Sequence, residues 1–209
     1  MIKKISSPLA RTLVSEMRDM TLPSQVIRNN IASLAQILVN EASNYMLTER
    51  KKIKTWKEEI IEEQIKTSDV VFIPIIRGGL PMLDGALTVL PNCEVGFLST
   101  EKSQITLESS IVMEKLPVIT GKTVCILDTM VGTGGTLANV ISRINNLNPK
   151  KVIVLSIVTG PIGLKRMADE FPNVLYLFCC EDKVMDAQGF LRPGMGDMGD
   201  RCFQKGVFM

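Results

Sequence analysis

The chain has 209 residues, 45% of them hydrophobic and 22% charged, with a formal net charge of +2 and no histidine. These values suit one globular domain, residues 1–209, large enough for a substantial core. They give no basic footprint for nucleic acid and exclude imidazole-based acid–base catalysis, Ser-His or Cys-His nucleophilic pairs and histidine zinc sites.

No uninterrupted apolar run approaches the roughly 20 residues of a membrane-spanning helix. Met1-Ile2-Lys3-Lys4 leads into polar residues rather than a signal-peptide core, so a cytoplasmic chain with no membrane partner is expected. In chain order, the first pattern runs from Pro23 to about Leu47. There Ile27, Ile31, Leu34, Ala35, Leu38 and Ala42 recur at helical spacing and predict one long amphipathic helix. The run from Glu49 to Lys66 alternates in sign as a solvated surface does. Short apolar runs follow at Val70 to Ile76, Val95 to Leu98, Val124 to Leu127, Val152 to Val158 and Val174 to Phe178, each suited to a strand buried on both faces. Helical segments at Pro81 to Val89, Leu137 to Leu147 and Ile162 to Glu170 separate most of them. Such alternation predicts an α/β fold with a mainly parallel sheet flanked by helices. Cysteines 93, 125, 179, 180 and 202 form no Cys-x-x-Cys pair and read as small buried hydrophobes.

In sheets of this kind ligands sit outside the carboxyl ends of the strands. Arg77, Asp128 and the 130–136 loop would all lie there. Val124 to Thr136 reads Val-Cys-Ile-Leu-Asp-Thr-Met-Val-Gly-Thr-Gly-Gly-Thr: an apolar strand, an acid at its end, a small-residue loop, then a helix. Glycines 132, 134 and 135 allow backbone N–H groups to approach a phosphate, and a helix starting near Thr136 turns its positive end to the same point. Asp128 can accept hydrogen bonds from hydroxyls, so the segment suits a phosphorylated sugar. Two other phosphate signatures fail on context. Gly121-Lys122-Thr123 lacks the first P-loop glycine, that position being Leu116, and precedes a strand. Gly194 to Gly199 satisfies a dinucleotide pattern with too little chain after it for a crossover helix and second strand.

The 124–136 segment resembles the phosphoribosyl-diphosphate (PRPP) motif of type I phosphoribosyltransferases. Pro74-Ile75-Ile76-Arg77-Gly78-Gly79-Leu80-Pro81-Met82-Leu83-Asp84-Gly85 and Phe190-Leu191-Arg192-Pro193-Gly194-Met195-Gly196-Asp197-Met198-Gly199-Asp200-Arg201 are similar to two stretches of the uracil phosphoribosyltransferase family. Pro8-Leu9, Met17-Arg18-Asp19, Arg28 and Glu41-Ala42 match scattered N-terminal positions of that family. The resemblance implies transfer of ribose 5-phosphate from PRPP to uracil, giving UMP and pyrophosphate, on a type I phosphoribosyltransferase fold with a C-terminal base-binding hood. It further implies Mg²⁺ carried by PRPP beside Asp197, and a homodimer or homotetramer.

Carried over by position, Arg77, Asp128 and Asp197 form the catalytic set. Arg77 with Gly78 and Gly79 binds pyrophosphate, and Asp128 binds the ribose hydroxyls. Thr129, Met130, Val131, Gly132, Thr133, Gly134, Gly135 and Thr136 wrap the 5-phosphate. Leu191, Gly196, Asp197 and Met198 meet uracil, chiefly through main-chain groups, and Asp197 also faces PRPP.

Several positions depart from the family's pattern. The loop after Gly96 usually carries Tyr-Arg, whereas Phe97-Leu98-Ser99-Thr100-Glu101-Lys102-Ser103-Gln104 holds only Lys102 as a cation, a point charge without the bidentate fork of arginine. Thr129 replaces a proline, Gly78 an alanine, Pro81 a glycine and Phe190 a tyrosine, and Met198 stands where a small residue is usual. Two alternatives therefore accompany the transferase: a diverged paralogue that senses PRPP or a nucleotide with little catalysis, and a transferase for another pyrimidine-like base. Asp200 is expected to pair with Arg201.

Overall fold

The computed structural model describes residues 1–102, 109–186 and 190–204, apart from the side chain of Lys102. Its elements are β1 Ile2–Lys4, α1 Pro8–Met17, α2 Ser24–Ser43, β2 Thr48–Lys54, β3 Glu59–Ile65, β4 Val70–Ile76, α3 Leu80–Val89, β5 Glu94–Val95 and β6 Phe97–Lys102. Then follow β7 Ser109–Lys115, β8 Thr123–Val131, α4 Gly135–Asn145, β9 Lys151–Thr159, α5 Pro161–Glu170, β10 Leu175–Glu181, β11 Val184–Met185, β12 Leu191–Arg192 and α6 Met198–Phe203. The main sheet runs β1-β10-β9-β8-β4-β6-β7, with β5 also on β4, and every pairing in it is parallel except β6 with β7. The chain is thus α/β, as its alternating pattern requires.

Side chains alternate across a strand, and here the alternation divides the core in two. Cys125 and Leu127 of β8, with Phe72, Leu155 and Leu177, meet α1, α2 and α3 on one face. Val124 and Ile126, with Ile73, Val154 and Tyr176, meet α4 and α5 on the other. Ile27, Ile31, Leu34 and Leu38 form the buried stripe of α2, each contributing about 1.5–3 kcal/mol. α2 and α3 approach closely at Gly85, where a Cβ would lie 2.0 Å from the Ala32 carbonyl oxygen.

Several sequence expectations change. The long helix ends at Ser43 rather than near Leu47, with Asn44 as its C-cap. β8 continues to Val131 because its pairing with β9 extends to Val131 opposite Thr159. Asp128, Thr129, Met130 and Val131 are therefore strand residues, and the acid lies inside the strand rather than at its end. The Val95–Leu98 run is divided between β5 and β6, and β6 is carried on to Lys102 by pairing with β7. The charged 49–66 run is largely exposed, as expected, but forms an antiparallel hairpin of β2 and β3. β1 and α1 carried no legible period. β1 is a three-residue edge strand seated on Tyr176–Phe178, and α1 begins at a Ser7 cap followed by Pro8.

Candidate functional site

β4 delivers the chain to a tight turn at residues 77–79 that opens α3; the Ile76–Arg77 peptide is cis. The Gly79 N–H donates to the Ile75 carbonyl at 2.9 Å. A Cβ on Gly79 would stand 2.5 Å from the Leu127 carbonyl oxygen, so the turn lies directly against β8. The Arg77 guanidinium donates to Asp200 Oδ1 at 2.8 Å and lies beside Gly199, where a Cβ would be 3.4 Å from Nη2. Arg77 therefore rests on the first turn of α6.

Neighbouring β8 carries Asp128. Its burial pushes the carboxyl pKa up to about 7, against the opposing effect of hydrogen bonds from the Met130 and Thr129 N–H groups. Asp128 and residues 130–137 line one recess. The loop closes at Gly134, whose φ of +76° is a left-handed conformation that a β-branched residue adopts only with strain. α4 begins at Gly135, so the free N–H groups of its first turn belong to this loop.

A second recess is lined by Met130, Asp186, Phe190, Leu191, Arg192, Pro193 and Gly196. Met130 belongs to both, so the two recesses adjoin. The C-terminal segment reaches the second through a β11–β12 hairpin, a cis Arg192–Pro193 bond and two left-handed glycines, Gly194 and Gly196. Asp197 caps α6, accepting from the Asp200 N–H at 2.8 Å. The Leu191 and Met198 side chains are buried, which leaves their main-chain groups as what they can offer a ligand, whereas Phe190 is exposed.

Gly78 is where the segments meet. A Cβ there would lie 2.9 Å from Thr129 Oγ1 and 3.8 Å from both the Gly199 nitrogen and Met198 Cβ. Arg77, Gly78, Asp128, Thr129, Asp197 and Met198 are thus assembled at one place, and the 130–136 loop continues directly from it. Two departures from the family pattern also prove to touch: glycine at 78 leaves room for the hydroxyl of Thr129.

The expected Asp200–Arg201 pair is replaced. Asp200 turns to Arg77, and Arg201 instead donates to main-chain carbonyls of Met17, Asp19 and Met195. Asp200 is accordingly a site neighbour that the sequence reading missed, its only signal being a place in the same glycine-rich motif. Lys102 ends β6, but its side chain, with Ser103 and Gln104, lies outside the described residues. Among the described residues no cluster of three or more Cys, Asp or Glu could hold a metal ion. Four of the five cysteines are buried, as expected, and Cys180 is half-buried. Burial pushes the thiols of Cys93 and Cys202 up to about 11.

The family model described as "Uracil phosphoribosyltransferase" matches residues 4–205. A uracil phosphoribosyltransferase of Aquifex aeolicus is 36% identical over 208 residues, covering 100% of both chains. The solved structure of the AQ2163 protein from Aquifex aeolicus superposes with a TM-score of 0.95 at 36% identity, covering 100% of each chain. A purine phosphoribosyltransferase from Pyrococcus horikoshii shares the fold at 16% identity, with a TM-score of 0.51 over 72% of this chain and 81% of that one.

Proposed function

The chain belongs to the uracil phosphoribosyltransferase family and is an enzyme that transfers ribose 5-phosphate from PRPP to uracil, giving UMP and pyrophosphate; from that premise we propose how its residues divide the work. The observation that carries the assignment is the convergence at Gly78 of the 77–79 turn, the Asp128 strand and the 196–199 segment. Arg77 with Gly78 holds the pyrophosphate, and Asp200 keeps the guanidinium over the turn until phosphate oxygens take its place. Asp128 accepts the ribose hydroxyls. Thr129 and Met130 lead into Val131, Gly132, Thr133, Gly134, Gly135 and Thr136, whose main chain surrounds the 5-phosphate at the start of α4. Leu191, Gly196, Asp197 and Met198 read the uracil edge through main-chain donors and acceptors, a rigid way to select a pyrimidine dione.

Departure of pyrophosphate leaves positive charge on the sugar ring. The protein's task is to neutralise the leaving group and hold ring and base in line, which Arg77 and the Asp128 carboxylate do without histidine. Mg²⁺ bound to PRPP would offset the charge of the diphosphate. The donor set fits an ion carried mainly by the substrate, since Asp197 uses one oxygen to cap α6 and metals of this type often take one or two carboxylates plus phosphates. The whole chain acts as one catalytic domain. Assembly as a homodimer or homotetramer is supported by the β2–β3 hairpin, which leaves Trp56 88% exposed and Ile61 60% exposed. A cytoplasmic location fits a salvage enzyme in which no helix among the described residues is long and apolar enough to cross a membrane. The sensor reading is not favoured by a family and relatives named for the transferase.

The test is pyrophosphate release from PRPP with uracil and Mg²⁺. The parent should be active, Lys102→Ala should weaken PRPP use with UMP affinity nearly unchanged, and Thr100→Arg should raise activity through a bidentate phosphate contact. A parent without turnover would overturn the assignment. Robust activity untouched by either substitution would remove both residues from the reaction.

A further inference from the structure

We propose that Arg18 and Asp182 are positioning residues for base recognition, an inference that rests on the reading of residues 191–198 as the uracil contact. Asp182 follows β10 and is 2% exposed. Its Oδ1 accepts from Arg18 Nη2 at 2.6 Å, and its Oδ2 accepts from Arg18 Nη1 at 3.1 Å and from the Gly194 N–H at 2.9 Å. Arg18 Nη1 donates in turn to the Gly194 carbonyl at 2.8 Å. Both polar groups of one peptide-loop residue are therefore held by a single, largely desolvated ion pair.

The pair is itself anchored at both ends. The Asp182 N–H donates to the Thr159 carbonyl at 2.9 Å, which fixes the acid to the end of β9. Arg18 is the C-cap of α1, and donating to the Asp182 carboxylate raises its pKa further. Gly194 has a φ of +69°, a conformation with several alternatives for glycine unless neighbours select one. Fixing that residue fixes where Gly196, Asp197 and Met198 present their main-chain groups. None of the hydrogen bonds of Arg18 or Asp182 reaches the 77–79 turn or the 128–136 segment. The pair should therefore act first on uracil, and on PRPP only indirectly, through Asp197 and the Asp200–Arg77 contact.

A purely structural ion pair would affect both substrates through stability, so the readout is the division between the two KM values. Initial rates of pyrophosphate release would be measured for the parent, Asp182→Asn, Arg18→Lys and the double variant Arg18→Met/Asp182→Leu, with thermal unfolding alongside. Misplacing a recognition loop by about 1 Å can cost up to roughly 10²-fold. On that scale Asp182→Asn should raise the KM for uracil roughly tenfold or more and the KM for PRPP by a clearly smaller factor. Arg18→Lys should give a smaller rise in the same direction, because an ammonium keeps the charge but lacks the planar fork that meets both Asp182 oxygens and the Gly194 carbonyl. The double variant removes the orphaned charge and should recover stability relative to Asp182→Asn, while its uracil KM stays high. Parallel rises in both KM values, or an unchanged uracil KM in folded variants, would overturn the proposal. So would recovery of the uracil KM together with stability in the double variant. A parent that binds PRPP by calorimetry but shows no uracil-dependent release would instead overturn the base-contact reading itself, and this inference with it, a pattern that the KM comparison cannot produce.

Discussion

A carboxylate with a pKa of about 7 is only partly ionised at neutral pH, and Asp128 is in that condition because burial disfavours its charge. If the ionised form stabilises positive charge on the ribose, kcat/KM for PRPP should rise with pH through about 7 and fall roughly tenfold per unit well below it. Asp128→Asn keeps the shape and deletes the charge. Its kcat should drop by roughly 10²-fold or more, and its profile should lose the inflection near neutrality. An unchanged kcat, or an inflection that survives the substitution, would remove Asp128 from the chemistry. Cys93, Cys125, Cys179 and Cys202 offer no rival nucleophile, because burial holds their thiols above the usual range.

On the proposed assignment, two junctions between elements govern the phosphate side. At the β8–α4 junction Gly134 combines a φ of +76° with close packing, since a Cβ would lie 3.3 Å from Gly163 Cα. Gly134→Val should abolish PRPP and UMP binding, read by calorimetry; near parental UMP affinity in a folded variant would exclude this loop from the site. At the β4–α3 junction a Cβ on Gly78 would come within 2.9 Å of Thr129 Oγ1. Thr129 is 2% exposed and its β-branched side chain has little rotamer freedom. Gly78→Ala should therefore raise the KM for PRPP and lower stability by about 1–3 kcal/mol. Thr129→Ala in the same chain should restore most of both. Additive effects would show that the two positions are independent.

For the whole molecule, the hairpin of β2 and β3 is the feature that a lone chain least explains. It carries an exposed Trp56 at its turn, with the Lys57 ammonium 4.3 Å from the ring centroid. If the hairpin supports assembly, Trp56→Ser should shift the sedimentation distribution of the parent oligomer toward the monomer. An unchanged distribution would place the interface elsewhere.

The sequence by itself determined the α/β class, the main buried strands and the helices flanking them, and it singled out Arg77, Asp128 and the glycine-rich loop as candidates. These features are local: hydrophobic period, turn residues and contiguous motifs are written along the chain. It did not reveal the hairpin, because exposed charged strands have no buried face to impose a period. The sequence also left the end of β8 open, since only pairing with β9 shows that Asp128 to Val131 remain extended. The partners of the charged residues around the site were decided by tertiary structure alone. Asp200 reaches Arg77 across 123 positions and Arg18 reaches Asp182 across 164, separations at which sequence spacing carries no information and only the packing of α1, α6 and the sheet brings opposite charges together.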